Sequence, residues 1–282
     1  MLSIIMSGLN VAQKDLSVTA NNLANANTAG YKKSNANFVD VFANDPSANP
    51  KTAIGAGAMV DIVARDTSQG SMTSTGRVTD LAIAGQGYFV LNTATAEGAD
   101  ASYVFTRAGS FGMDSEGYMV TSSGARVQVV GGGTEPVDEL PAAPEPSADP
   151  DTSDAKIKMV LEEGGPTLQG ITINAKGLIA ATYSDNSVKY YGYVAVANFP
   201  NASGLKPIGN SNFVASGDSG VPAVSAGGAP NAGDIMSATI EQSNVDITQE
   251  LMKMLRAQQL YNGNARMLQT AVEVSSRLTD KI

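Results

Sequence analysis

Apolar positions recur at alternating steps of three and four at both ends of the chain, and in short β-like runs between them. At the N-terminal end, Leu2, Ile5, Leu9, Ala12, Leu16, Thr19 and Leu23 form one stripe. Ser3, Asn10, Gln13, Lys14 and Asp15 fall off it, which predicts a helix with a coiled-coil seam. The helix is expected to stop near Asn25 to Asn27, where Asn and Thr precede Gly30, a residue suited to a left-handed cap. At the C-terminal end, Ser243 or Asn244 is expected to cap a second helix, with Asp246 and Glu250 near its positive end. Its seam runs through Ile247, Leu251, Met254, Gln258, Tyr261, Ala265, Leu268, Val272, Ser275, Thr279 and Ile282. Leu255, Val274 and Leu278 broaden it, and Gly263 is its weak point.

Neither helix has a large apolar partner close in sequence, so the two are expected to pack on each other or on neighbouring copies. A core helix of a globular domain also shows such a stripe. Stripes at both ends with β structure between them fit assembly better.

The middle reads as strands. The candidates are residues 58–63, 81–83, 88–91, 103–107, 110–113, 118–120 and 126–130, then 156–161, 171–174, 178–183 and 190–197. Asp114-Ser115-Glu116-Gly117 carries a type I turn signal. From Gly131 the pattern breaks into a Gly/Pro-rich loop, and residues 215–233 are again small and glycine-rich. The expected fold class is α+β: paired terminal coiled-coil helices and a central mainly-β domain. The expected domains are 1–44 plus 240–282 (helical), 45–130 plus 167–239 (β), and 131–166 as a Pro/Gly-rich loop or minimal outer insertion.

Composition narrows the chemistry. Aromatics are only 6% of 282 residues and Trp is absent, so the core is modest for the length. The net charge of −9 and the lack of a Lys/Arg stripe speak against nucleic acid. With no Cys and no His there is no thiolate or imidazole metal site and no His-based triad. A chain that crosses redox compartments would lack Cys, and so would many cytosolic chains. The N-terminal residues have no basic region or unbroken apolar run of a secretory signal, and no stretch reaches the ~20 apolar residues of a membrane span. No catalytic, cofactor-binding or metal-binding residues are expected.

The remaining polar motifs read as structural. Gly76, Gly85, Gly87, Gly109 and Gly117 are expected at turns; Gly85-Gln86-Gly87 lacks the third Gly and the Lys of a phosphate cradle. Arg77 and Arg107 are expected to pair with Asp80 or Asp114, to serve neighbouring subunits, or to stay solvated. Glu162-Glu163 sits beside Gly164-Gly165-Pro166, a poor setting for a general acid. A Ser/Lys or carboxylate hydrolase has no motif here. A β-rich binding module or adhesin on a coiled-coil stalk remains the alternative, and would need several aromatics gathered in a concave patch.

Ala20-Asn21-Asn22-Leu23-Ala24-Asn25-Ala26-Asn27-Thr28-Ala29-Gly30-Tyr31-Lys32 resembles the N-terminal signature of bacterial flagellar rod, hook and hook-associated proteins. Gln69-Gly70-Ser71, Thr75-Gly76-Arg77, Asp80 to Ile83, Gly85 to Phe89 and Phe105 to Phe111 are similar to that family's first β region. Ala197 to Pro200, Glu241 to Asp246 and Ala257 to Tyr261 resemble its late strand and C-terminal helix. The blocks keep their order over residues 1 to about 130 and about 170 to 282.

The resemblance implies a structural subunit of the flagellar hook or basal-body rod, self-assembling into a helical tube for motility through heterologous contacts. It implies terminal helices in the inner tube wall, export by the flagellar type III apparatus, and a place in the flagellum outside the cytoplasm. Partners would be many copies of itself, neighbouring rod, hook or hook-junction proteins and the export apparatus, with no nucleic acid and no membrane insertion. The interface helices would act through Leu2, Ile5, Leu9, Leu16, Leu23, Ile247, Leu251, Met254, Tyr261, Leu268 and Val272. Asn21, Asn22, Leu23, Asn25, Asn27, Gly30 and Tyr31 would form the junction between helix and β domain, since Asn side chains bond nearby backbone and redirect the chain. Phe38-Val39-Asp40-Val41-Phe42 looks most like the hook member, whereas the length, without a further outer domain, favours the distal rod member. The reading leans to hook type.

Overall fold

The computed structural model describes residues 2–42, 55–94, 102–132, 137, 140–141, 143–144, 146–147, 152–159, 165–230 and 232–279. The chain divides into two compact units: Met1–Asn27, Lys32–Thr67 and Asn244–Ile282 form unit 1, Thr28–Tyr31 and Ser68–Ser243 form unit 2. The terminal helices and central β structure make the fold α+β. The division draws a different line from the expected domains: residues 45–67 fall with the helices.

Unit 1 holds helix α1 (Leu2–Ala24), helix α2 (Ile247–Thr279) and an antiparallel hairpin of β1 (Ser34–Phe42) and β2 (Gly55–Arg65). Helix α1 ends where its last turn is bonded by asparagine: Asn25 Nδ2 donates to the Asn21 carbonyl at 2.9 Å, and the Asn25 N–H reaches the same oxygen at 3.2 Å. Helix α2 begins differently from the sequence expectation. Asp246 is the cap, its Oδ1 accepting the N–H groups of Thr248 at 2.9 Å and Gln249 at 3.1 Å. A carboxylate one step from the helix also meets its dipole, so it displaces Ser243 and Asn244 from that role. Strand β1 went unread because its first residues, Ser34-Asn35-Ala36-Asn37, are poor strand formers. Two register shifts, at Asn37/Phe38 and Val41/Phe42, fit it to β2.

Unit 2 opens with β3 (Met72–Ser74), β4 (Leu81–Ala84), β5 (Tyr88–Asn92), β6 (Tyr103–Thr106), β7 (Gly112–Met113), β8 (Met119–Val120) and β9 (Arg126–Val130). It continues with β10 (Thr152–Asp154), β11 (Leu168–Ile173), β12 (Leu178–Tyr183), β13 (Val188–Val194) and β14 (Val196–Asn198). Last come β15 (Lys206–Gly209), β16 (Asn212–Val214), β17 (Ala223–Ser225), β18 (Asp234–Ser237) and β19 (Thr239–Glu241). The main sheet runs β11-β12-β13-β9-β5-β6-β16-β15, and its pairings are antiparallel. The main core cluster gathers Leu81, Ile83, Phe89, Leu91, Phe111, Met119, Val127, Val129, Ile157, Ile179 and Val194, all buried. A second cluster gathers Tyr88, Phe105, Phe199 and Phe213, with edge-to-face ring contacts at 4.8–6.0 Å. Burial there uses up aromatics that a binding patch would have to display.

Three expectations change in unit 2. Residues 156–159 of the expected strand form no strand, and the nearest one is β10, where Asp154 is drawn to β9 by Arg126 at 3.0 Å and Gln128 at 2.6 Å; Val160 and Leu161 lie outside the described residues. The span expected as a bare loop thus contributes β10, and Val137 and Ser147 bridge to Tyr190 and Val224. Gly109 is a close-approach residue, since a Cβ there would sit 1.6 Å from the Leu81 carbonyl oxygen. Asp114 does start the expected turn: its carbonyl accepts Gly117 N–H at 3.2 Å and its Oδ1 accepts Tyr118 N–H at 2.8 Å.

Candidate assembly site in the helix and hairpin unit

Helices α1 and α2 pair side by side in opposite directions. Gly8 faces Asn264, with a Cβ on Gly8 falling 2.8 Å from its Nδ2. Two heptads further along α1 and two heptads back along α2, Asn22 Nδ2 donates to Glu250 Oε2 at 3.1 Å. The surfaces in contact are small or polar: Ala12, Thr19 and Asn22 are the buried residues of α1, Ala257 and Glu250 those of α2. Small side chains let the axes approach closely, which leaves little room for large apolar groups between them.

Polar groups tie the hairpin to this pair. The Asn22 amide also brackets the backbone of Ser34, donating to its carbonyl at 2.7 Å and accepting its N–H at 2.9 Å. Lys253 Nζ bonds Glu250 Oε1 at 2.8 Å and Asn35 Oδ1 at 3.2 Å. Asn244, freed from capping, accepts the Lys33 N–H at 2.8 Å and donates to the Asp66 carbonyl at 3.1 Å. Gly57, at φ +114°, passes so close to Ser7 that a Cβ would meet its Oγ at 2.2 Å. Asp15 lies beside this cluster; burial raises its pKa above the ordinary value, Lys253 opposes the shift and Glu250 adds to it.

Among the described residues, no large apolar side chain of the two helices is fully buried. Leu2, Ile247, Leu251, Tyr261 and Val272 are exposed; Ile5, Leu9, Leu16, Leu23, Met254 and Leu268 are half-buried. Leu260, Met267 and Val274, at heptad intervals, form a second exposed strip, of which only Val274 was expected beside the seam. Phe38, Phe42, Met59 and Ile62 are exposed on the hairpin. A groove of about 750 Å³ opens between the start of α1 and the end of α2, lined by Leu2, Ile5, Met267, Ala271 and Val274 among others. Apolar side chains exposed together in this way mark an interaction surface.

Of the junction residues, Asn22 is buried, Leu23 and Asn25 are half-buried, and Asn21 and Asn27 are exposed. Gly30 and Tyr31 belong to unit 2, where Gly30, at φ +66°, donates its N–H to the Glu241 carbonyl at 2.8 Å and packs against Ala108. Sequence reasoning missed the roles of Glu250 and Asn244. The signal for Glu250 was present: Glu250, Ala257, Asn264 and Ala271 recur every seven residues as a small and polar stripe beside the apolar one.

In unit 2, Arg77 pairs with Asp80, its Nη2 2.6 Å from Oδ1. Arg107 takes neither expected partner: it is buried and bonds Glu241 Oε2 at 3.2 Å, with Ile83 and Gly85 carbonyls at 3.3 and 2.7 Å. Glu162 and Glu163 lie outside the described residues. No cluster of metal-binding side chains occurs among the described residues, and none of the described helices is long and apolar enough to cross a membrane.

Three family profiles match along the chain: the flagellar hook protein FlgE/F/G D1 domain at residues 82–194, the flagella basal body rod protein at 2–32, and the flagellar basal body rod FlgEFG protein C-terminal at 236–280. The flagellar basal-body rod protein FlgG of Agrobacterium fabrum is 31% identical over 98% of this chain and 96% of its own length. FlgG of Bacillus subtilis is 28% identical over 98% of this chain and 96% of its own. The flagellar hook protein FlgE of Salmonella typhimurium is 23% identical, in an alignment stretched to 407 positions. The lean to hook type finds no support in these lengths: the rod proteins match end to end, whereas the hook protein carries sequence this chain lacks.

Proposed function

The chain belongs to the flagellar rod and hook protein family, and from that premise we propose that it is a rod-type subunit whose unit 1 supplies the polymer contacts. It is a structural component of the bacterial flagellum. The observation that carries the reading of unit 1 is the exposed apolar surface around a polar helix pair: the residues with most to gain from burial are those the monomer leaves in water. The seam residues Leu2, Ile247, Leu251 and Val272 and the strip Leu260, Met267 and Val274 meet helices of neighbouring copies. Unit 2 sets the spacing between them, residues 131–166 replace the outer domain of longer relatives, and the Asn21 to Tyr31 segment joins the two units.

The protein has no catalytic role, binds no cofactor, nucleic acid or membrane, and leaves the cytoplasm through the flagellar type III apparatus. Neighbours along the axis are other rod and hook proteins. Sedimentation and electron microscopy of the concentrated full-length chain test the assembly reading. Tubular polymers are expected, with none from a chain lacking residues 2–24. A chain that stays monomeric at every concentration, with both helices protected from limited proteolysis, would favour the adhesin reading instead.

A further inference from the structure

The pairing of α1 with α2 presents a specificity problem. Both helices repeat every seven residues, and Gly8, Ala12, Thr19 and Ala257 offer smooth small-residue contacts that fix no position along the axis. A slide by one heptad would set Gly8 against Ala257 or Ala271 in place of Asn264, which keeps a small contact there. The same surfaces would also accept a helix from another copy.

We propose that Asn22 and Glu250 form the specificity-determining latch that selects this one register, and the α1–α2 pairing itself, over heptad-slipped and homotypic alternatives. Glu250 is 1% exposed, and a buried carboxylate is tolerated only where donors meet it. In the observed register one oxygen receives Asn22 Nδ2 and the other Lys253 Nζ. Lys253 rides on α2 itself and would travel with Glu250 through a slide, so Asn22 is the register-dependent donor. The same amide is held by both backbone groups of Ser34, so it cannot follow. A slip of one heptad in one direction would set Glu250 opposite Asp15, carboxylate against carboxylate. In the other direction it would place Glu250 beyond Ala24, past the end of α1. Both slips lose the donor, and one adds a repulsion, which is discrimination by penalty against the wrong state. Two helices α2 brought together would likewise leave each Glu250 without its amide.

The chain has no cysteine, so introduced pairs report register cleanly. Gly8→Cys is combined in the full-length protein with Asn264→Cys for the observed register, or with Ala257→Cys or Ala271→Cys for the two slips. With the latch intact, the native pair is expected to oxidise within one chain at least about tenfold faster than either slipped pair. In Asn22→Leu/Glu250→Leu the preference is expected to fall to about threefold or less, with cross-linked dimers from Asn264→Cys alone rising, while helicity is kept. Glu250→Gln, whose carbonyl still accepts from Asn22, is expected to retain the native preference. A double-leucine variant that keeps the tenfold preference would overturn the proposal, as would a latch-intact protein whose native pair fails to cross-link. The readout is register in the chain itself, so it stands or falls separately from polymer formation.

Discussion

Arg107 and Glu241, 134 positions apart in sequence, form an ion pair inside unit 2 with side-chain exposures of 6% and 0%. The pair joins the residue after β6 to the end of β19, where Glu241 Oε1 also accepts the Gly70 N–H at 2.9 Å. Arg107 spends its terminal nitrogens on Ile83, Gly85 and Glu241, and its Nε finds no partner among the described residues. Such a pair contributes little net stability but is costly to break. Glu241→Ala, which strands the guanidinium, is expected to destabilise unit 2 by about 3–5 kcal/mol in denaturant unfolding. Arg107→Met with Glu241→Leu is expected to recover most of that loss.

Two glycines that look alike in sequence differ in kind. Gly109→Ala would drive a Cβ into the Leu81 carbonyl, so it is expected to cost about 3 kcal/mol or more and to lower the melting temperature of unit 2 sharply. Gly76 has open space around it and only a left-handed φ of +77°. Gly76→Ala is expected to cost about 1–2 kcal/mol. Calorimetry of the two variants side by side separates the effects.

Leu16→Asp and Leu268→Asp place a charge on the half-buried shoulder of the helix pair. Each is expected to abolish polymers in a sedimentation assay and leave the near-ultraviolet signal of the unit 2 tyrosines unchanged. Loss of that signal would place these leucines in the fold of unit 2 and remove them from assembly.

Asp15 gives a pH dependence with a defined sign. Its pKa is raised from 3.8 in the folded chain, chiefly by burial, so the folded state holds the proton more tightly than the unfolded one. Stability is therefore lost as pH rises from about 3.8 through the raised value. Asp15→Asn is expected to stabilise unit 1 at neutral pH and to give no gain below about pH 3.8. Solvent screening of a half-exposed group bounds the gain at about 1 kcal/mol, and thermal melts across the range read it directly.

Tyr183 and Tyr191 close a ring of hydrogen bonds on one residue: Lys158 N–H donates to the Tyr191 hydroxyl at 3.2 Å, the two hydroxyls bond each other, and Tyr183 donates to the Lys158 carbonyl at 2.7 Å. Burial and the neighbouring hydroxyl push the Tyr183 pKa well up. Tyr191→Phe leaves the Lys158 N–H without this acceptor and is expected to cost about 1–3 kcal/mol by chemical denaturation. Ultraviolet titration of the parent is expected to show Tyr183 un-ionised until unit 2 unfolds in alkali.

Periodicity made both helices legible, because 3.5-residue spacing survives over many turns and few other structures produce it. The partner choice of each helix face was not legible. Large apolar residues mark a face that wants burial, yet here Glu250 and Ala257 took the intrachain contact, and Leu251, Leu255 and Leu260 were left outside. Only spatial proximity reveals that Asn22 supplies a donor to a carboxylate 228 positions away. In unit 2, runs such as Tyr88-Phe89-Val90-Leu91 announced their strands, whereas β15 to β19 are short, and β16, β18 and β19 are held by pairing with distant segments. Asp246 shows how a cap expectation fails by two or three residues when several candidate caps are adjacent.

Unit 1 draws its two helices from segments separated by more than two hundred residues, with all of unit 2's strands encoded between them. A ribosome, or any conduit that releases the chain from its N-terminal end, delivers α1 long before α2. The helix pair proposed to form the polymer is thus completed last, after every strand of unit 2 has emerged. A chain broken anywhere upstream of Glu250 can never complete it. On the proposed assembly, the order of the sequence carries a check on wholeness: only a fully delivered subunit would acquire the means to join its neighbours.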